Sequence, residues 1–174
     1  MGEQRNIYQY TMRYGLILGI YLILKFPLLV LGLQVPLLEL LFLLLTLAVP
    51  VITWRFTRDY RNKACGGVLS FPQAWFFGML VYAFAALVVA LAHFIYFRYI
   101  DGGYIVDTYR AALSQIARTP GMGVSMEQIH QMLDSFAALK PSDITFQLMM
   151  QNIFWGNLVA LVTALIVYRK PKSE

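Results

Sequence analysis

Charge is scarce in this sequence. Only 13% of its 174 residues are charged, where a soluble domain typically carries about 25%. Hydrophobic residues make up 59%, and the mean hydropathy of +0.62 is too high for a fold that faces water on every side. These figures exclude a disordered chain. Cysteine is nearly absent: one residue, Cys65, makes no internal disulfide, which excludes a disulfide-built secreted domain. There is no phosphate-cradling glycine loop, no nucleophile elbow and no Cys/His spacing for a metal. Gly66-Gly67 is too short and isolated to hold a nucleotide. No cofactor is expected. The net charge of +5 would suit a nucleic-acid partner, but the basic residues flank apolar runs, the pattern of membrane topology. Nucleic acid is therefore not an expected partner.

Long apolar runs are what the chain does have. A helix needs about 20 such residues to cross the hydrocarbon core, and four segments reach that length: about 12–33, 35–54, 74–100 and 146–168. The first is too long for a cleavable signal, carries Lys25 and lacks a small-residue cleavage site before Pro36. Ser70 with Gln73 three residues on resembles a capping box, and Pro36 and Pro72 suit first-turn positions. Asn6 and Gln9 look like a similar cap for the first helix. Only about Gly32 to Val35 separates the first two runs, so they form a tight antiparallel hairpin. The predicted fold class is all-α: a single polytopic membrane domain over 1–174, four transmembrane helices in a bundle, with a helical extracytoplasmic segment over 101–145 between the third and fourth.

Orientation follows from lysine and arginine near the spans. Arg5 and Arg13 precede the first. Arg55, Arg58, Arg61 and Lys63 lie between the second and third. Arg169, Lys170 and Lys172 follow the fourth, while the first hairpin turn has none. Both termini are thus expected in the cytoplasm, with Cys65 in the reducing compartment.

The segment between the third and fourth runs has helical periodicity. A short helix is expected over Asp107 to Ala117, and a stronger one opening at Ser125. In the latter, Met126, Ile129, Leu133, Phe136 and Leu139 form one apolar stripe. The stripe predicts a helical cap lying on the bundle or the lipid surface; a docking face for a partner is the other reading. Asp101-Gly102-Gly103 reads as a turn, and Thr119 to Gly123 as a flexible joint.

Ionisable groups inside a membrane are costly and mark candidate sites. Lys25, Glu39 and His93 fall within the apolar runs, and Gln151 and Asn152 within the fourth. At 1.5 Å per residue all lie roughly 5–10 Å below the outer ends of their helices. One polar group per helix at matched depth predicts that they meet. Lys25 and Glu39 are expected to pair across the hairpin, with His93 or Asn152 completing the hydrogen bonds. The same layer, read functionally, is a polar pocket with Lys25 facing an anion such as a lipid head group; a proton relay through His93 and Glu39 is a third reading. One His and one Glu are too few ligands for a metal. Helix-packing contacts are expected at small residues on helical spacing: Gly15 and Gly19, Ala86 and Ala90, and Gly156, Ala160 and Ala164.

Tyr60-Arg61 through Gly66-Gly67-Val68-Leu69-Ser70-Phe71-Pro72-Gln73-Ala74, with Gly78 beyond it, resembles a bacterial family known as domain of unknown function 4199, as does Met12-Arg13-Tyr14-Gly15. The resemblance covers nearly the whole chain. It implies a small four-helix inner-membrane protein with an insertion before the last helix. It implies no activity and no catalytic residues. The functional expectation is a non-enzymatic integral membrane protein, an accessory or scaffold subunit of an envelope complex. The alternative is a small carrier or binding protein for an anionic lipid or lipid-linked intermediate. The bilayer is the partner common to both; a membrane-protein partner, a homo-oligomer and an anionic lipid are the specific candidates.

Overall fold

A computed structural model describes residues 2–117 and 126–169. The elements are α1 (Gly2–Gly32), α2 (Pro36–Ala64), α3 (Phe71–Ile95), a π-helical turn (Tyr96–Ile100), α4 (Tyr104–Ala117), α5 (Met126–Ala137) and α6 (Pro141–Val167). Among the described residues there is no strand, only one isolated bridge between Leu69 and Arg169. Among the described residues four helices are long and apolar enough to cross a membrane: α1, α2, α3 with its π-helical turn, and α6. The architecture is an all-α bundle of these four, with α4 and α5 inserted before the last.

Local chemistry sets the helix limits. Pro36 opens α2 and Pro141 opens α6, each in the first turn, where the missing N–H costs nothing. At the start of α3 the Gln73 Oε1 accepts from the Ser70 N–H at 3.2 Å and from its hydroxyl at 3.0 Å. The end of α2 is closed by Gly66 and Gly67, both at positive φ, with the Gly67 N–H donating back to the Arg61 carbonyl at 2.9 Å. The Asp101-Gly102-Gly103 turn forms as expected: Asp101 accepts from the N–H groups of Gly103 and Ile105, launching α4. By contrast, α1 is already helical at Gly2, so Asn6 and Gln9 lie inside it and do not cap it. At 29 residues α2 spans about 43 Å, more than the ~30 Å core. Its excess length is the basic stretch from Arg55 to Lys63.

Around the bundle the order is α1, α3, α6, α2. α3 packs most heavily, on α6 and on α1; α2 packs on α1 and α6 and touches α3 sparingly; α1 and α6 scarcely meet. Lipid tails offer no hydrophobic drive between helices, so close backbone approach does the work. A Cβ at Gly15 would lie 2.5 Å from that of Phe84, and one at Gly156 would overlap the Tyr82 ring. Gly19 faces Val88, and Ala160 sits against Gly78. Ala86 and Ala164 are buried, and Ala90 is half-buried. Packing is tightest at the end that carries the chain termini and the α2–α3 link, here called the basic end. There Tyr60 stacks on Phe77 at 4.3 Å and Tyr14 on Phe56 at 4.5 Å. The Tyr82 and Thr53 hydroxyls bond at 2.8 Å, and the buried Arg61 donates to the last α6 carbonyl, Val167, at 2.8 Å.

The insertion departs from expectation in detail. Ile129 and Leu133 of α5 are buried, and Glu127, Gln131 and Asp134 are exposed. Leu139 is exposed, because α5 ends at Ala137 and the stripe ends with it. The side chains of Met126 and Phe136, and the Ser125 and Thr119 to Gly123 readings, lie outside the described residues. Arg110 joins the two short helices, reaching Asp107 at 3.4 Å and Asp134 at 3.1 Å.

Candidate functional site

At the opposite end, the hairpin end, the four long helices separate around a cavity of about 650 Å³. Its lining follows helical periodicity. From α1 come Leu22, Lys25, Phe26, Leu29, Val30 and Leu33, one face at spacings of three and four. The face from α6 runs from Ile144 through Gln147, Leu148, Gln151 and Asn152 to Trp155. α2 contributes Phe42 and Thr46, and α3 Val89 and His93, with Phe97 from the π-helical turn. Ile105 and Tyr109 of α4 close it from above. The cavity exists because its two long polar-bearing walls, α1 and α6, are the pair that scarcely meet.

The cavity also reaches the side of the bundle. All the buried residues of α2 fall from Val49 onward; from Pro36 to Ala48 none is buried. Trp155 lines the cavity yet is 57% exposed. A wall residue that is both lining and exposed lies at the rim, so the cavity is open on the α6 side, beside the sparsely packed hairpin-end half of α2.

Of the expected polar layer, Lys25, His93, Gln151 and Asn152 all line this one cavity. Glu39 does not. It is exposed and forms no ion pair among the described residues. Lys25 donates instead to the Thr46 hydroxyl at 2.8 Å, and its ammonium lies 4.6 Å from the centre of the Phe42 ring. Thr46 passes the bond on to the Phe42 carbonyl at 2.8 Å. The reason is directional. Cα–Cβ bonds tilt toward the N-terminus of their helix. In α1 that is toward the basic end, and in the antiparallel α2 it is toward the hairpin end, so the two side chains lean apart. Their heights differ as well: a Cβ on Gly32 would meet the Glu39 backbone at 3.0 Å, which places Glu39 level with the end of α1 and Lys25 about two turns deeper.

Lys25 therefore presents a cation with no carboxylate among the described residues, in a site partly walled from water. His93 is its counterpart on α3. It is 6% exposed, held between Phe26 at 4.4 Å and Phe97 at 6.4 Å, and its Nδ1 has no hydrogen-bond partner. Buried polar atoms are nearly always satisfied, and leaving one unmade costs about 1–3 kcal/mol. Both groups would gain from an anionic or hydrogen-bonding molecule in the cavity. Sequence reasoning missed Thr46, Gln147 and Tyr109. Thr46 is a lone hydroxyl in an otherwise apolar run, and Gln147 is one turn from Gln151, so both left a signal; Tyr109, on the inserted helix, left none.

The chain belongs to the family described as "Protein of unknown function (DUF4199)", whose model matches residues 13–169. The match agrees with the resemblance read from the Gly-Gly, Ser-Phe and Gln-Ala pattern. No curated protein and no solved structure matches the chain.

Proposed function

We propose that this member of the family is a non-enzymatic binding protein of the bacterial inner membrane for an amphiphile with an anionic head. The observation that carries the reading is Lys25: a half-buried ammonium, with no carboxylate beside it among the described residues, facing an otherwise largely apolar cavity. A charge at such depth is costly unless compensated, roughly 3 kcal/mol on insertion scales, and a bound anion compensates it. The opening on the α6 side, beside α2, gives the apolar tail of such a molecule a path that stays in the bilayer. Basic residues at the ends of α2 and α6 support a cytoplasmic position for both termini and, with it, an outer-leaflet cavity. Cys65, in the α2–α3 link, should accordingly react with a membrane-impermeant maleimide only after the inner membrane is opened; labelling in intact spheroplasts would reverse the orientation.

The test of function is native mass spectrometry on gently extracted protein. A retained lipid is expected, lost or reduced at least tenfold in Lys25→Met while circular dichroism shows the helices intact. Parent protein free of lipid, or adducts unchanged by Lys25→Met, would overturn the reading. One further observation favours an accessory or scaffold role: Leu37, Leu40, Leu44 and Leu47 leave the hairpin-end half of α2 exposed, a face another transmembrane helix would cover. A co-purifying chain in the same spectra would support that role.

A further inference from the structure

The composition of the cavity wall narrows the head group, an inference that rests on the amphiphile reading above. Among the described lining residues Lys25 is the sole Lys or Arg, and none is Asp or Glu. Across from it, α6 presents the amides of Gln147, Gln151 and Asn152, and α4 adds the Tyr109 hydroxyl. These are neutral groups, each able both to donate and to accept. One cation matches one negative charge. A phosphomonoester with two charges would leave one uncompensated in a low-dielectric site. A zwitterionic head would place its ammonium among amides with no carboxylate to receive it. A fatty-acid carboxylate would satisfy Lys25 and could accept from an amide N–H, but it is acceptor-only and has no donor for the amide carbonyls of the wall.

We propose that the cavity selects a lipid whose head is a singly charged phosphodiester bearing a neutral, hydroxyl-rich substituent. The phosphate sits at Lys25 and Thr46. The hydroxyls lie against Gln147, Gln151 and Asn152, and the acyl chains leave past Trp155 through the opening on the α6 side.

Trp155 supplies the probe. The chain has three tryptophans; Trp54→Phe with Trp75→Phe leaves Trp155 alone at the rim. The full chain in micelles is titrated with lipids carrying brominated acyl chains, which quench a tryptophan they touch. Phosphatidylglycerol should quench at a mole fraction at least tenfold below phosphatidylethanolamine and several-fold below phosphatidic acid. Gln151→Leu with Asn152→Leu keeps Lys25 and removes most of the amide wall. In that variant the advantage of phosphatidylglycerol over phosphatidic acid should fall below twofold while phosphatidic acid still binds. Phosphatidic acid binding as tightly as phosphatidylglycerol, or the double variant leaving the preference unchanged, would overturn the head-group assignment and leave the anionic-amphiphile reading standing. Equal quenching by all three lipids, unchanged by Lys25→Met, would overturn both.

Discussion

Where Tyr14 stacks on Phe56 and Tyr60 on Phe77 the bundle is closed; between Lys25 and Asn152 it parts around a cavity. The same four helices do both. At the basic end, among the described residues, polar groups inside the bundle find partners: Thr53 in Tyr82, Arg61 in the Val167 carbonyl, Trp75 in Asn157 at 2.8 Å. At the hairpin end the cavity holds an ammonium without a carboxylate and an imidazole nitrogen without a partner among the described residues. The small residues that draw the helices together, Gly15, Gly19, Gly78 and Gly156, lie toward the closed half or the middle. Past Gly19, α1 has large side chains facing inward, and α1 and α6 stay apart. Satisfied polar groups and glycine contacts mark what holds the fold. Unsatisfied ones in an open space mark the candidate site, and the proposed binding role rests on them.

That contrast is broken most directly at Gly156. Its helix face rests on the Tyr82 ring, and any side chain there must displace the ring or the helix. Overpacking of this kind typically costs 1–3 kcal/mol and occasionally more. Gly156→Leu should reach about 3 kcal/mol, because Tyr82 also holds Thr53 and cannot move without breaking that bond. Thermal unfolding in detergent followed by circular dichroism measures it. A Tm within two or three degrees of the parent would mean the closed half is looser than its contacts imply.

Next in size is Arg61. The residue is 7% exposed, and its guanidinium caps the end of α6. Hydrogen bonds to charged groups contribute about 1.5–3 kcal/mol, so Arg61→Met should cost about 2 kcal/mol. The loss should appear as early fraying of the α6 end, read as faster hydrogen exchange around Val167. Protection there equal to the parent's would show that the cap contributes nothing.

How much of this was legible beforehand divides along physical lines. The four spans were, because run length and hydropathy alone decide whether a helix can cross lipid. The depth of the polar layer was nearly so, since helical rise converts sequence position to height, and Lys25, His93, Gln151 and Asn152 indeed share one cavity. The Lys25–Glu39 pairing was misread because the two depths were taken as nearly matched and the lean of the side chains was left out. The cavity itself was not legible: it depends on which helices sit diagonally, and periodicity within one helix carries no information about its neighbours. Tyr109 was hidden for the same reason, as a residue of the inserted helix that reaches the site only through the tertiary fold.

The smallest expected effect, the coupling of Lys25 to Glu39, is the sharpest test of the open half. Were Lys25 and Glu39 a buried pair, removing one partner would strand the other and cost about 3–5 kcal/mol, most of it recovered in the double variant. Here the two make no contact: Lys25 bonds to Thr46, and Glu39 stands exposed at the level of Gly32. Lys25→Met keeps the length of the side chain and removes a cation that nothing ionic holds. It forgoes one hydrogen bond to Thr46, about 1 kcal/mol, and in return relieves the cost of a partly buried charge. The relief, roughly 3 kcal/mol for a charge without compensation, outweighs the bond, so lipid-free Lys25→Met should be at least as stable as the parent, by up to about 2 kcal/mol. Glu39→Leu should shift stability independently, and the coupling in the double-variant cycle should fall below about 0.5 kcal/mol. A coupling of several kcal/mol would show that the two charges meet in solution, which would remove the unpaired cation on which the lipid site is built. Near-zero coupling together with loss of lipid in Lys25→Met would instead separate the two halves cleanly, since the residue most needed for binding would be among those least needed for folding.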